Sequence, residues 1–162
     1  MKLIKYEKSV WDIEKEIIFG KVEEGIFEFY NLELGNELNQ EWWKLVGDNE
    51  EILGFGWINY KHGDFEFSLV VNQESRGYGI GSFIVEELER IAREKNFKEV
   101  LAIIKQSNPN SLKTMKWFYE KGYTGYVNGF EGREMKTREV AAKMVKKMDV
   151  HLIKQIALIQ IL

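Results

Sequence analysis

Val70-Val71-Asn72-Gln73-Glu74-Ser75-Arg76-Gly77-Tyr78-Gly79-Ile80-Gly81-Ser82 decides the reading of this chain: a strand end leads through a polar turn into three alternating glycines, and an amphipathic helix pattern follows. Glycine lacks a Cβ, so the backbone can approach a ligand closely and take up positive φ. The first turn of a helix presents unpaired N–H groups and the positive end of the helix dipole. Strand, glycine turn and helix in this order therefore make an anion site suited to a pyrophosphate. Two other phosphate motifs each lack a required residue. A dinucleotide fingerprint requires G-x-G-x-x-G after the first strand of a βαβ unit, whereas Gly77-x-Gly79-x-Gly81 follows several strands. A P-loop requires Gly-Lys-Ser or Gly-Lys-Thr, and here Gly81 precedes Ser82-Phe83.

Upstream of the glycines, Phe65, Phe67, Leu69 and Val71 alternate with Glu66, Ser68 and Val70, which predicts a strand. Glu41 to Val46 and Ile52 to Tyr60 predict two more, joined by the turn residues Gly47-Asp48-Asn49-Glu50, and Lys61-His62-Gly63-Asp64 makes the next turn. The result is an antiparallel meander. Lys2 to Tyr6 reads as a short first strand. Ser9 is the expected N-cap of a helix carrying Val10, Trp11, Ile13, Ile17, Ile18 and Val22, with Asp12 in an acidic first turn. That pattern breaks near Gly25, and Ile26 to Asn39 reads as either a second helix or an irregular lid.

Downstream, Phe83, Ile84, Leu88, Ile91 and Ala92 recur at helical spacing, with Glu86, Glu87, Glu89, Arg90 and Arg93 expected on the outer face. Val100-Leu101-Ala102-Ile103-Ile104 is the apolar run of a central strand buried on both faces. The single proline, Pro109, predicts a helix start, and Leu112, Met115, Trp117, Phe118 and Tyr119 follow before Gly122. Tyr123 to Val127 and Glu131 to Lys136 predict two final strands. Val140, Ala141, Met144, Val145, Met148, Leu152 and Ile156 then trace a stripe at helical spacing, and Ile156 to Leu162 is almost wholly apolar. The expected organisation is a mixed α/β domain over residues 1–136. An amphipathic C-terminal helix and apolar tail over 137–162 would dock on the domain or pair with a second chain as a homodimer.

Of 162 residues, 44% are hydrophobic and 30% charged, the composition of a globular domain. A formal net charge of −3 weighs against a general affinity for nucleic acid, which rests on clustered surplus Lys and Arg. The absence of cysteine excludes disulfides, thiolate metal sites and cysteine nucleophiles. His62 falls in a turn and His151 on the tail without a partnered motif, so no metal site is expected. Met1 to Lys8 contains no apolar leader core, and no stretch reaches membrane-spanning length, so the expected setting is cytoplasmic with no membrane partner.

Arg76-Gly77-Tyr78-Gly79-Ile80-Gly81, set between a meander strand and a helix, resembles the signature of the GNAT N-acetyltransferase superfamily: Arg or Gln, two variable residues, Gly, one variable residue, then Gly or Ala. Phe118-Tyr119-Glu120-Lys121-Gly122-Tyr123 is similar to the family's second motif. The resemblance implies a GNAT fold, a mixed and mainly antiparallel sheet flanked by helices. It also implies acetyl-CoA-dependent N-acetylation of a primary amine, by direct attack in a ternary complex. Acetyl-CoA would be the co-substrate, with its pyrophosphate on Arg76, Gly77, Tyr78, Gly79, Ile80, Gly81 and Ser82. Its pantetheine arm would lie along Leu69, Val70 and Val71, where the family's strand splays at a bulge, and Asn110 and Tyr119 would complete the site.

The chemistry asks for a proton acceptor for the amine and a donor for the departing thiolate. Tyr119 is the candidate acid, although counting back from Gly122 in the family's usual register puts Phe118 in its position; the alternative for Tyr119 is a core aromatic. Glu66 is the candidate base, with Asp64 on the same strand face, against the alternative of a solvated sheet-face acid. Trp42, Trp43, Phe27, Phe29 and Tyr30 could wall an acceptor pocket, and Glu23, Glu24, Glu28 and Glu33 could attract a cationic amine, small or peptidic. The alternative is ordinary core aromatics with solvated acids. The competing function is a non-catalytic acyl-CoA-binding or interaction module on the same fold.

Overall fold

In the computed structural model, which describes residues 1–29, 31–126 and 141–148, the sheet has seven strands. They are β1 (Lys2–Lys5), β2 (Glu41–Val46), β3 (Ile52–Asn59), β4 (Glu66–Val71), β5 (Glu99–Lys105), β6 (Thr124–Tyr126) and β7 (Ala141–Lys147). Their order in the sheet is β1-β2-β3-β4-β5-β7-β6. β1 to β4 form the antiparallel meander that the alternating residues predict. β5 then runs parallel to β4, after the crossover through α2 (Ile80–Glu94). Its apolar run is buried as expected, with Val100, Leu101, Ala102 and Ile104 all in the core.

Two faces of the sheet are covered differently. α2 and α3 (Ser111–Glu120) bury Ile84, Leu88, Ala92 and Phe118 against Phe65, Phe67 and Val100 on one face. On the other, α1 (Ile13–Phe19) and the segment after it cover an aromatic layer of Trp42, Phe55 and Trp57. Trp42 and Trp57 are cross-strand partners stacked 4.4 Å apart, a pairing that aligns β2 with β3 as well as filling the core.

α1 begins later than the sequence predicts. Asp12, not Ser9, caps it, accepting the Lys15 N–H at 2.9 Å, because Val10 is engaged in a bridge with Glu37 and holds the preceding chain extended. Lys15 is then drawn beneath the Tyr6 ring, 3.7 Å from its centroid and 2.7 Å from Asp12 Oδ2; burial pushes its ammonium pKa down while Asp12 opposes the shift. Within Ile26 to Asn39 the described residues form turns and one bridge, not a helix. Phe27 and Phe29 from this segment seal the aromatic layer.

The C-terminal expectation is corrected most. Ala141–Lys147 is a strand, not the predicted helix. It inserts between β5 and β6 with seven partnered residues along β5, from Glu99 opposite Lys147 to Lys105 opposite Ala141. The backbone edge of β5 left open on that side supplies the template, and Met144 is fully buried there. Glu89, expected on the outer face of α2, is buried for the same reason. Lys146 of β7 pairs with it at 3.0 Å, and Tyr123 donates its hydroxyl to it at 2.9 Å. Burial first, then the Glu89 charge, drives the Tyr123 pKa far up. The predicted strand at Glu131 to Lys136 and the apolar end at Ile156 to Leu162, with its proposed pairing, lie outside the described residues. Among the described residues, no helix is long and apolar enough to cross a membrane.

Candidate active site

β4 and β5 touch at one end only. Glu66 opposite Leu101 is their single registered pair, reinforced by Leu101 N donating to Phe65 O at 2.9 Å; beyond it the strands diverge. The gap opens into a cavity of about 670 Å³ lined by Phe67 to Val71 from β4 and Ala102 to Lys105 from β5. Both faces of β4 contribute, so the cavity passes through the sheet. α3 closes one face with Asn110, Lys113, Thr114, Trp117 and Phe118, and Val22, Glu23, Ile26 and Phe27 close the other.

The divergence leaves backbone groups unpaired. Asn72 donates its N–H to Leu53 O at 2.8 Å, and the β3–β4 register runs from Gly54 opposite Val71 to Asn59 opposite Glu66 without a shift. Strand alternation therefore turns the N–H groups of Leu69 and Val71 to the other edge, into the gap. The family's bulge, expected near Val71, is absent from this register; separation of β4 from β5 frees the same groups.

At the open end of the gap the chain turns through Gln73–Ser75 into the glycine loop. Gly77 and Gly79 have φ of +87° and +77°, and a Cβ built on either would meet nothing within 4 Å, so the loop is an open cradle. Gly79 caps α2 without a side-chain hydrogen bond, and the first intrahelical donor is Phe83, to Gly79 O at 3.0 Å. The N–H groups of Ile80, Gly81 and Ser82 are left for a ligand. The geometry fits a pyrophosphate followed by a polar arm along β4. Tyr78 points away, 80% exposed. Arg76 braces the loop, with Nε on Val71 O and Nη1 on Glu23 Oε1, each at 3.4 Å.

Neither proposed catalytic side chain reaches this cavity. α3 presents positions 110, 113, 114, 117 and 118 to it, a single helical stripe, and Tyr119 lies one residue further round. The Tyr119 hydroxyl sits against β6, 2.5 Å from where a Cβ on Gly125 would stand, and the side chain is half exposed. Phe118 occupies the place expected of the tyrosine, 3% exposed and 6.2 Å from the Phe67 ring. Glu66 shares a strand face with Ser68 and Val70 but stands where β4 and β5 are still joined, short of the gap. Asp64 is exposed in the turn before β4, and His62 lies in the preceding turn.

The aromatic and acidic residues of the first half divide as well. Trp42 and Trp43 are core residues of opposite faces and do not line the cavity; Phe27 does, and Phe29 packs behind it on Trp57. Glu23 is the one carboxylate among the described lining residues. Its own backbone N–H, then Arg76, holds its pKa below the ordinary carboxylate value, which makes it a weak base. Glu28 pairs with Lys105 at 2.5 Å, while Glu24 and Glu33 are exposed. Tyr30 and His151 lie outside the described residues, and no group of three metal-ligating side chains occurs among the described ones.

Sequence reasoning missed Lys105, Lys113, Thr114 and Trp117, which bring two cations and a ring to the cavity. Lys105 carried a signal, a charge at the end of an otherwise apolar strand; the others became visible only once one face of α3 met the gap. Asn108, 8% exposed, accepts the Asn110 N–H at 2.8 Å and shapes the entry to α3, so both residues flanking Pro109 line the cavity.

Fold and site together define a mixed α/β protein with a glycine-loop cradle opening onto a splayed sheet. The chain belongs to the GNAT acetyltransferase family: the model described as Acetyltransferase (GNAT) family matches residues 8–121. A search of curated proteins by sequence finds no match. Among solved structures, the spermidine/spermine N-acetyltransferase SpeG from Vibrio cholerae is similar over 94% of this chain and 99% of its own, at 13% identity and a TM-score of 0.61. A phosphinothricin acetyltransferase from Sinorhizobium meliloti, solved with AcCoA, matches 67% of this chain at 16% identity and a TM-score of 0.53. This chain spans 61% of that protein. Ribosomal-protein-alanine N-acetyltransferase from Brucella melitensis matches 67% of this chain and 69% of its own, at 18% identity and a TM-score of 0.51. At these identities the likeness is one of fold.

Proposed function

We propose that the protein moves the acetyl group of acetyl-CoA to a primary amine by direct attack while both substrates are bound. The observation that carries this reading is the gap between β4 and β5, continuous with the Arg76–Gly81 cradle. Acetyl-CoA, when bound, supplies an activated thioester. The N–H groups of Gly77, Gly79, Ile80, Gly81 and Ser82 would hold the pyrophosphate. Those of Leu69 and Val71, beside Val70, would hold the arm and polarise the carbonyl oxygen. Asn110 stands at the start of α3 on the same side.

The acceptor would enter from the opposite face, past Val22, Ile26 and Phe27, with Glu23 beside its path. The similar proteins carry acceptors as different as a polyamine and a protein alanine in their names, so the acceptor class proposed here is the broad one, a small or peptidic amine. With Phe118 in place of a hydroxyl donor, the contribution of the described residues would be binding, alignment and carbonyl polarisation, with water carrying the protons.

Initial-rate kinetics across a panel of amines tests the proposal. Amine-dependent thiol release with intersecting double-reciprocal lines is expected; parallel lines would replace direct attack with an acetyl-enzyme. Phe118 also supports a second reading, an acyl-CoA-binding module without turnover. Calorimetric binding of acetyl-CoA with no thiol release for any amine would select it.

A further inference from the structure

We propose that Lys121 is a positioning residue for the cofactor pyrophosphate, acting through the hydroxyl of Ser82 at the first turn of α2. The inference rests on the reading of the glycine loop as the pyrophosphate site. Lys121 is the C-cap of α3, yet its side chain crosses to α2, where Nζ donates to Ser82 Oγ at 2.6 Å. The ammonium also lies 4.6 Å from the Trp117 ring, and that ring packs on Gly81, 3.4 Å from where a Cβ would stand. Helix α3 is thereby fastened to the cradle by an aromatic contact and a charged hydrogen bond.

The hydrogen-bond chemistry gives the contact a direction. An ammonium only donates, so Ser82 must accept from Lys121, and its own hydroxyl hydrogen is left for another acceptor. Ser82 lines the cavity, where that hydrogen can meet an anionic oxygen. The charge balance points the same way. Arg76 and Lys105, cations at the cavity, are matched by Glu23 and Glu28, whereas Lys121, like Lys113 on the cavity face of α3, has no carboxylate partner among the described residues. Its charge adds to the positive end of α2 instead of being cancelled.

Calorimetry on the full chain, with CoA and dephospho-CoA as probes, tests this. K121M should weaken both by the same factor, about tenfold, and K121R should recover most of the loss, since a charged donor is retained. S82A should weaken CoA less than K121M does, and adding S82A to K121M should cost little more, because the two act as one unit. The thermal midpoint of K121M should stay near that of the parent. Unchanged CoA affinity in K121M overturns the proposal. Weakening of CoA but not of dephospho-CoA also overturns it, moving the contact to the 3′-phosphate. A parent protein that binds neither probe would instead fail the reading of the loop, and this inference with it.

Discussion

Gly79 and Gly25 share a left-handed backbone, with φ of +77° and +89°, and stand on opposite sides of one cavity, yet they are glycine for opposite reasons. Around Gly79 there is open space, which leaves the backbone N–H groups bare for the proposed pyrophosphate. At Gly25 a Cβ would lie 2.3 Å from the Ser107 carbonyl oxygen, so glycine there lets two pieces of backbone close on each other. The proposed cofactor side is thus built by main chain on a long helix and a strand. The proposed acceptor side is a strap hung between side-chain ties: Lys21 to Glu74 at 2.8 Å and Glu23 to Arg76 at one end, Ser107 to Gly25 O at 2.6 Å and Lys105 to Glu28 at the other. Main-chain sites tolerate change in most neighbouring side chains; tied straps do not.

That contrast can be broken most severely at Gly79. Gly79→Asp puts a carboxylate into the cradle, where two like charges about 4 Å apart repel by about 4 kcal/mol at an effective dielectric near 20. Acetyl-CoA affinity should fall by about a thousandfold in calorimetry, with the far-ultraviolet dichroism unchanged; retained affinity would move the anion site elsewhere.

Gly25→Ala attacks the strap. The unfavourable φ and the contact with Ser107 should lower stability by about 2 kcal/mol, seen as a drop of roughly 4–8 °C in thermal midpoint. The acceptor KM should rise about tenfold while acetyl-CoA affinity changes by less than about threefold. Equal losses in both would show that the two sides are not separable.

Arg76 touches both sides, so Arg76→Ala sharpens the comparison. Its contacts are long and substantially exposed, worth up to about 1 kcal/mol. Acetyl-CoA affinity and acceptor KM should each worsen by about two- to fivefold. The smallest effect is expected for Tyr119→Phe: turnover should stay within about twofold, because the hydroxyl lies on β6, away from the gap. A loss beyond tenfold would restore Tyr119 as the acid and require α3 to turn on substrate binding.

The elements legible in the sequence are those with local causes. The β5 run from Val100 to Ile104, the α2 stripe of Ile84, Leu88, Ile91 and Ala92, and the turns at Gly47 and His62 each carry their own periodicity or turn chemistry. Misreadings came where distant partners decided. The stripe through Ala141, Met144, Val145 and Met148 fits a helix by spacing, but the vacant edge of β5 makes it a strand. Glu89 reads as a surface residue until Lys146, 57 positions on, arrives beside it.

At the site, neighbouring residues alone specify the geometry of the proposed donor end: glycines at the positions where φ is positive, an arginine before them, a helix after them. Those properties belong to consecutive residues and survive any packing. Tertiary structure decided the rest, because each feature is a meeting of segments far apart in the chain. The gap exists because β4 and β5 part after one pair. Phe118 and not Tyr119 faces it because α3 turns one stripe inward, and the strap crosses it because Gly25 can close on Ser107. Lys121 reaches Ser82 only because α3 lies against the first turn of α2, a contact no local pattern encodes.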